Sequence, residues 1–194
     1  MYVALNIDRK QRLKRVRKSR KFRTDPRIGN NSQLNNAYYR NNPWDRGHLA
    51  RLRMARWGEN KILADIASKH TFYYTNICPQ HDKFNKDEWR NLEEWVREGT
   101  KVKDSNKMVV FTGPIFEKKI FKLHPEGNDP IFIPSAFFKV VYYMDSQKNI
   151  KVYPFIMEQN EDTILNNYQD FNPKDYLVSL DEIEKRAKMR FYEP

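Results

Sequence analysis

Two stretches of this chain group residues whose types and spacing suit hydrolysis of a phosphodiester. The first is Asp45-Arg46-Gly47-His48-Leu49-Ala50. The second is Thr75-Asn76-Ile77-Cys78-Pro79-Gln80, followed by Asn85, Trp89, Leu92, Glu93 and Arg97. Such a reaction makes three demands. Water must lose a proton as it attacks, the leaving oxygen must be stabilised, and charge growing on the phosphoryl oxygens must be neutralised. A histidine suits the first because its unperturbed pKa lies near neutrality, which makes His48 the candidate base. A hard cation held by oxygen suits the second, and magnesium keeps several waters while taking few protein ligands. Arginines suit the third, through paired donors to phosphate.

These groups need elements to aim them. Trp89, Leu92 and Val96 recur at helical spacing and predict a helix over residues 85–98, with Gly99 as its stop. At about 100° per residue they form one stripe. Glu93 and Arg97 run along its edge one turn apart, and Asn85 stands at the helix start. Burying the stripe would fix the aim of all three polar groups. Taken singly, each residue has an ordinary explanation. Asp45 and Arg46 suit a turn with a surface ion pair, His48 a packed core histidine and Asn85 an N-cap. Glu93 and Arg97 suit an exposed pair worth about 0.3–0.5 kcal/mol. Their occurrence together and in order is what favours chemistry.

Around these stretches, residues 2–8 alternate apolar and polar and predict a strand, as do residues 71–75. Residues 9–23 are densely basic and suit a solvated hairpin or an arm that touches phosphates. Residues 25–43, rich in Asn, Pro and Gly, read as a loop. Residues 108–112, 136–143 and 151–157 read as core strands. Ser179 and Glu182 form a capping box that opens a last helix. Strands and helices mix without βαβ regularity, so the expected class is α+β. The 194 residues suit one compact domain.

Composition narrows the partners. Hydrophobic residues make up 39% and charged residues 31%, a balance typical of a folded chain in water. No run approaches the roughly 18 apolar residues of a membrane span, and the basic start lacks a signal-peptide core. The formal net charge of +11 favours polyanions, with nucleic acid first and an anionic membrane surface second. No strongly amphipathic basic helix supports the membrane reading. The single cysteine, Cys78, excludes an intrachain disulfide and a Cys-rich zinc site. His48, His70, His81 and His124 lack the short spacing of a zinc motif.

The ordered pattern resembles the DNA/RNA non-specific endonuclease family, a branch of the ββα-metal nucleases. The resemblance rests on Asp45-Arg46-Gly47-His48, on Asn76-Ile77-Cys78-Pro79-Gln80, on Asn85, on Trp89-Arg90-Asn91-Leu92-Glu93 and on Arg97. It extends to Arg20-Lys21-Phe22-Arg23-Thr24-Asp25-Pro26, to Thr112-Gly113-Pro114-Ile115, and to Ile133-Pro134 with Phe138-Lys139-Val140-Val141, and so covers nearly the whole chain.

The resemblance implies a central, mainly antiparallel sheet flanked by helices, and a ββα-metal unit around the site. It implies metal-dependent, largely sequence-nonspecific cleavage of DNA and RNA that leaves 5′-phosphate ends. His48 would be the general base. Asn85 would be the direct ligand of one Mg2+, with Mn2+ as a substitute, and Glu93 would hold a metal-bound water. Arg97 and Arg20 would contact the phosphate, while Asp45, Arg46 and Asn76 would shape or support the site. Leu49-Ala50-Arg51 after the histidine departs from the Ala-Pro of many members and, with Trp57-Gly58, marks a subgroup. Because the family often carries more sequence upstream, the single domain over 1–194 is read as one that a longer protein could contain. Compartment, a homodimer and an inhibitor protein stay open. The competing readings are a basic nucleic-acid-binding module without catalysis and a phosphodiesterase of small nucleotides. The first needs neither His48 nor Asn85, and +11 points away from the second.

Overall fold

The computed structural model describes residues 1–14, 21–98, 107–117, 122–159 and 171–191. Its centre is a four-stranded antiparallel sheet in the order β1-β4-β7-β8, formed by Val3–Asp8, Lys107–Ile115, Ala136–Met144 and Ile150–Glu158. These strands are rich in β-branched and aromatic residues, which fit a pleated surface packed on both faces. In β7 consecutive residues from Ala136 to Val141 are buried, so alternate side chains feed two different cores. Phe137 and Val141 face one core with Met108, Val110, Phe155 and Met157. Ala136, Phe138 and Val140 face the other with Ile115 and Ile156.

Helices cover both faces. Helix α4, Glu88–Glu98, lays Trp89, Leu92 and Val96 on the first core. The last helix, α5, Leu180–Ala187, presses Ile183 into the second. Its start is as expected from sequence: the Ser179 hydroxyl accepts the Glu182 amide at 3.1 Å. Two helices the sequence reading did not predict, α1 (Leu52–Ala55) and α2 (Lys61–His70), follow the first motif. A small two-stranded sheet pairs β5, Lys122–Leu123, with β6, Ile131–Phe132.

The chemistry-bearing segments form a separate hairpin. β2, Trp44–His48, pairs antiparallel with β3, Ile77–His81, in the register Asp45↔Gln80, Gly47↔Cys78 and His48↔Ile77. The strand expected over 71–75 is not there: Tyr74–Asn76 is a 3-10 turn, and the extended backbone begins at Ile77. Asn76 explains the shift. Its buried side chain donates to the carbonyls of Ala50 and Thr71 and accepts from the Ala50 amide, all within 2.9 Å, which draws the 71–76 segment into a turn around it. The helix expected over 85–98 is broken. α3, Asp82–Lys86, ends at Asp87, whose φ of −111° and ψ of −87° are not helical, before α4 begins. Asn85 therefore belongs to α3 and does not open the longer helix. The stop assigned to Gly99 and the residues 15–20 of the basic arm lie outside the described residues.

Gly47 is set by the hairpin. A Cβ there would sit 2.1–2.4 Å from Oε1, Cδ and Cγ of Gln80, a fully buried side chain that crosses over it. Gly47→Ala is expected to cost about 1–3 kcal/mol of stability, the range of an overpacked core site. Gln80→Ala removes all the clashing atoms, so Gly47→Ala/Gln80→Ala should lose less than the sum of the single changes in urea unfolding. Strict additivity of the two changes would contradict this packing.

Candidate active site

The site is a strand–loop–strand–helix unit, and the main sheet holds it from behind. Gln159, buried at the end of β8, donates to the carbonyls of Pro79 and Pro134 and accepts the His81 amide at 2.9 Å. One amide thus docks β3 onto the sheet edge. From the other side the Trp89 indole N–H donates to the His48 carbonyl at 3.2 Å. That bond ties the end of β2 to α4.

His48 closes β2. Its ring packs against both Phe22 and Phe72, with centroids at 5.5 and 5.2 Å, in a three-ring cluster in which the two phenylalanines lie 5.1 Å apart. Nε2 is shut off from solvent and has no hydrogen-bond partner among the described residues. An unmet polar atom in such a place is costly, and Nε2 is left as an unused acceptor. Burial, reinforced by the nearby Arg51 charge, pulls the His48 pKa down to about 4. The imidazole is neutral at physiological pH, as a proton acceptor must be.

Asp45 lies three residues earlier, about 10 Å along the strand. Its carboxylate accepts from Asn85 Nδ2 at 3.0 Å and pairs with Lys86 at 3.6 Å. Because the amide nitrogen is committed to Asp45, the Asn85 carbonyl oxygen is the end left to act as an electron-pair donor.

Glu93 is buried on α4, one turn beyond Trp89. Its Oε2 is 3.5 Å from Arg51, and its Oε1 is enclosed with no hydrogen-bond partner among the described residues. Burial pushes its pKa up, and Lys139 and Arg51 pull it back. Lys139 points inward from β7, donates to the Thr112 hydroxyl at 2.9 Å, and sits 4.5 Å from the centre of the Trp89 ring.

The remaining candidates are placed differently. Arg97 does not reach back to Glu93. It is paired instead with Glu94 and Glu98. Arg46 donates to Asn36 and lies 5.3 Å from the ring centres of both Phe22 and Tyr39. Asn76 is a scaffold for the turn after His48. Arg20 lies outside the described residues.

Sequence reasoning missed Arg51, which bridges Glu93 and Glu94 and acts on His48, as well as Lys139, Phe72 and Gln159. A lysine inside the apolar run Ala136-Phe137-Phe138-Lys139-Val140-Val141 was a readable sign of a buried charge. Gln159 offered no sign. Cys78 is buried, with its thiol pushed up to about 12 by desolvation, and so is no nucleophile. A cavity of about 740 Å³ beside β6 is lined mainly by apolar side chains and reaches Cys78, but touches none of Asp45, His48, Asn85 and Glu93.

The donor set suits a weakly held hard cation. Among the described residues, no three His, Cys, Asp or Glu side chains gather into a metal cluster. What the unit offers is one amide oxygen and the orphaned carboxylate oxygen of Glu93, together with Asp45 beside the amide. Few protein ligands and many waters is the magnesium pattern, and the set lacks the nitrogen and sulfur that zinc prefers.

A hairpin closed by helices, with histidine at a strand end and the amide and carboxylate on the helices, is the ββα-metal arrangement. The family model for DNA/RNA non-specific endonucleases matches residues 1–193. The chain belongs to that family. Human "Endonuclease G, mitochondrial" is 32% identical over 143 residues, covering 70% of this chain and 46% of the relative. The "Nuclease" of Serratia marcescens is 30% identical over 174 residues, covering 88% and 60%. The chain thus spans about half the length of the curated relatives it matches. Its fold is also that of a solved chain described as "Crystal structure of the EndoG/EndoGI complex: Mechanism of EndoG inhibition". The TM-score is 0.76 at 22% identity, over 98% of this chain and 77% of the other.

The burial of His48 has a thermodynamic consequence. Its folded pKa of about 4 lies below its ordinary value, so the fold favours the neutral ring. The linked stability is complete above about pH 6.5 and is lost as pH falls through 4. Between these values the urea-unfolding free energy of the wild type should fall more steeply than that of His48→Gln. Parallel curves would show that the ring is not buried in neutral form.

Proposed function

We propose that the chain is a magnesium-dependent endonuclease that hydrolyses phosphodiester bonds of DNA and RNA with little regard for sequence and leaves 5′-phosphate ends. What supports this reading most is that one hairpin and the helices packed on it carry a neutral His48 with an unsatisfied Nε2, the Asp45-bound amide of Asn85 and the orphaned Glu93 Oε1. A purely binding module has no use for that set. Family membership supports the same conclusion.

In the proposed reaction His48 takes a proton from water as its oxygen bonds to phosphorus. The bond from phosphorus to the 3′ oxygen breaks, and that oxygen gains a proton from solvent to become a 3′ hydroxyl. The 5′ side keeps the phosphate. Asn85 would ligate Mg2+ directly, with Mn2+ as a substitute, and Glu93 would accept a hydrogen bond from its water shell. When bound, the cation supplies positive charge for the leaving oxygen. Asp45 orients the amide of Asn85. Arg97 would trade a carboxylate partner for a phosphoryl oxygen, with Arg20 as a second contact. Affinity would come from backbone contacts by Lys and Arg, which carry no sequence information directly.

Plasmid DNA and RNA should both be degraded with magnesium or manganese, and both should survive in EDTA. His48→Ala should slow single-turnover cleavage by at least the ~10²–10⁴-fold of a lost general base, with little change in filter binding. Asn85→Ala should raise the magnesium concentration needed for half activity. His124→Ala, at an exposed position outside the unit, serves as the control. Wild-type cleavage by His48→Ala, or full activity in EDTA, would rule out this mechanism.

A further inference from the structure

A second basic feature lies one layer from the site. Residues 11–14 run beside the end of α1 and are held there by backbone bonds from Leu13 N to Arg56 O at 3.2 Å and from Gly58 N to Gln11 O at 3.0 Å. The buried Arg56 side chain completes the clasp. It donates to the Lys14 carbonyl at 3.1 Å and to Asp65 at 2.6 Å. Between this clasp and α4 is a groove of about 360 Å³ whose walls carry Arg12, Lys14, Arg53 and Arg97. Three separate chain segments therefore bring cations to one concave surface.

The charges are unevenly compensated. Among the described residues, Arg12 and Lys14 have no carboxylate within ion-pair distance, and Lys14 is exposed. Arg53 is exposed, and its one ion pair there is a long 3.9 Å approach to Glu94. Glu94 is shared, because it also binds Arg51 at 2.8 Å and Arg97. Glu98 pairs with Arg97. Packing like charges together without full compensation is unfavourable, and a polyanion relieves it.

We infer that this groove is a phosphate-backbone subsite, joined to the scissile position at Arg97 and extended beyond it by Arg12, Lys14 and Arg53, that grips the nucleic-acid strand as it leaves the catalytic hairpin. The inference rests on the nuclease reading for its ligand class. The two sites adjoin through Arg51, which touches both Glu93 and Glu94. Arg97 follows Glu93 by one helical turn, about 6 Å of rise, so a strand engaged at the hairpin continues into the groove. Arg56 shapes the groove and is not itself a ligand, since its guanidinium is already spent on Asp65 and the Lys14 carbonyl.

The test is Arg12→Ala/Lys14→Ala/Arg53→Ala, which leaves the catalytic candidates in place. In a His48→Ala background, binding of a labelled DNA oligonucleotide is followed by fluorescence anisotropy across a salt series. Affinity should fall about tenfold or more at low salt. The slope of log affinity against log salt should shrink by about one for each phosphate that the variant no longer neutralises. In the active background, cleavage of long DNA should weaken through KM, while turnover of bis(p-nitrophenyl) phosphate, too small to reach the groove, stays within about twofold of wild type. Lys14→Ala/Arg53→Ala, confined to exposed side chains, should show the same trend if the triple variant folds poorly. Unchanged oligonucleotide affinity and salt slope would overturn the subsite, as would an equal loss on the small diester. A wild type that cleaves neither substrate would instead defeat the nuclease reading, while the anisotropy arm still decides whether the groove binds.

Discussion

Trp89 is the joint on which the rest of the structure depends. Its ring is buried against Phe84 and Phe137, so it locks α3 and α4 to the main sheet. Its indole N–H holds the carbonyl of His48, so the same side chain fixes the end of the hairpin. Its face lies beside the Lys139 ammonium, which also acts on Glu93. Buried indoles need a partner for their polar end. Here that partner belongs to the candidate base. Core packing and the geometry of the site are therefore set by one residue.

Glu93 and Lys139, which influence each other electrostatically without an ion-pair contact among the described residues, show how charge is kept inside such a core. A lone buried carboxylate would take up a proton, and a lone buried ammonium would lose one. Here each group opposes that tendency in the other, and Thr112 and the Trp89 ring supply Lys139 with further contacts. Burying two charges costs stability that their attraction need not repay. The positive charges of Lys139 and Arg51 counter the burial that favours the protonated form of Glu93.

Much of this was legible in the sequence, and the reasons differ by element. The strand at residues 2–8 was readable from its alternation, and the other three strands of the main sheet from their β-branched and aromatic runs. The stripe of α4 was readable because Trp89, Leu92 and Val96 share one face. The grouping of Asp45, His48, Asn85 and Glu93 on one hairpin–helix unit followed the motif order. The break at Asp87 was not legible, since nothing in Asn85-Lys86-Asp87-Glu88 forbids a continuous helix. The turn at residues 71–76 was hidden because it depends on what one asparagine side chain binds 26 residues away, at Ala50. Arg97 could be placed on α4, but its partner could not: Glu94 competes with Glu93 at nearly the same helical spacing, and Glu94 prevails.

The break at Asp87 also decides which dimensions of the site can vary independently. In one unbroken helix, Asn85 and Glu93 would be separated by eight residues, hence by about 80° of rotation and about 12 Å of rise. Those values would be dictated by backbone geometry alone. With α3 and α4 as separate segments, the non-helical backbone at Asp87 frees the two groups from that fixed relation. The amide follows the hairpin through Asp45, and the carboxylate follows the sheet through Trp89. The span between amide and carboxylate is thus set by where the hairpin and the sheet lie, and not by the pitch of one helix.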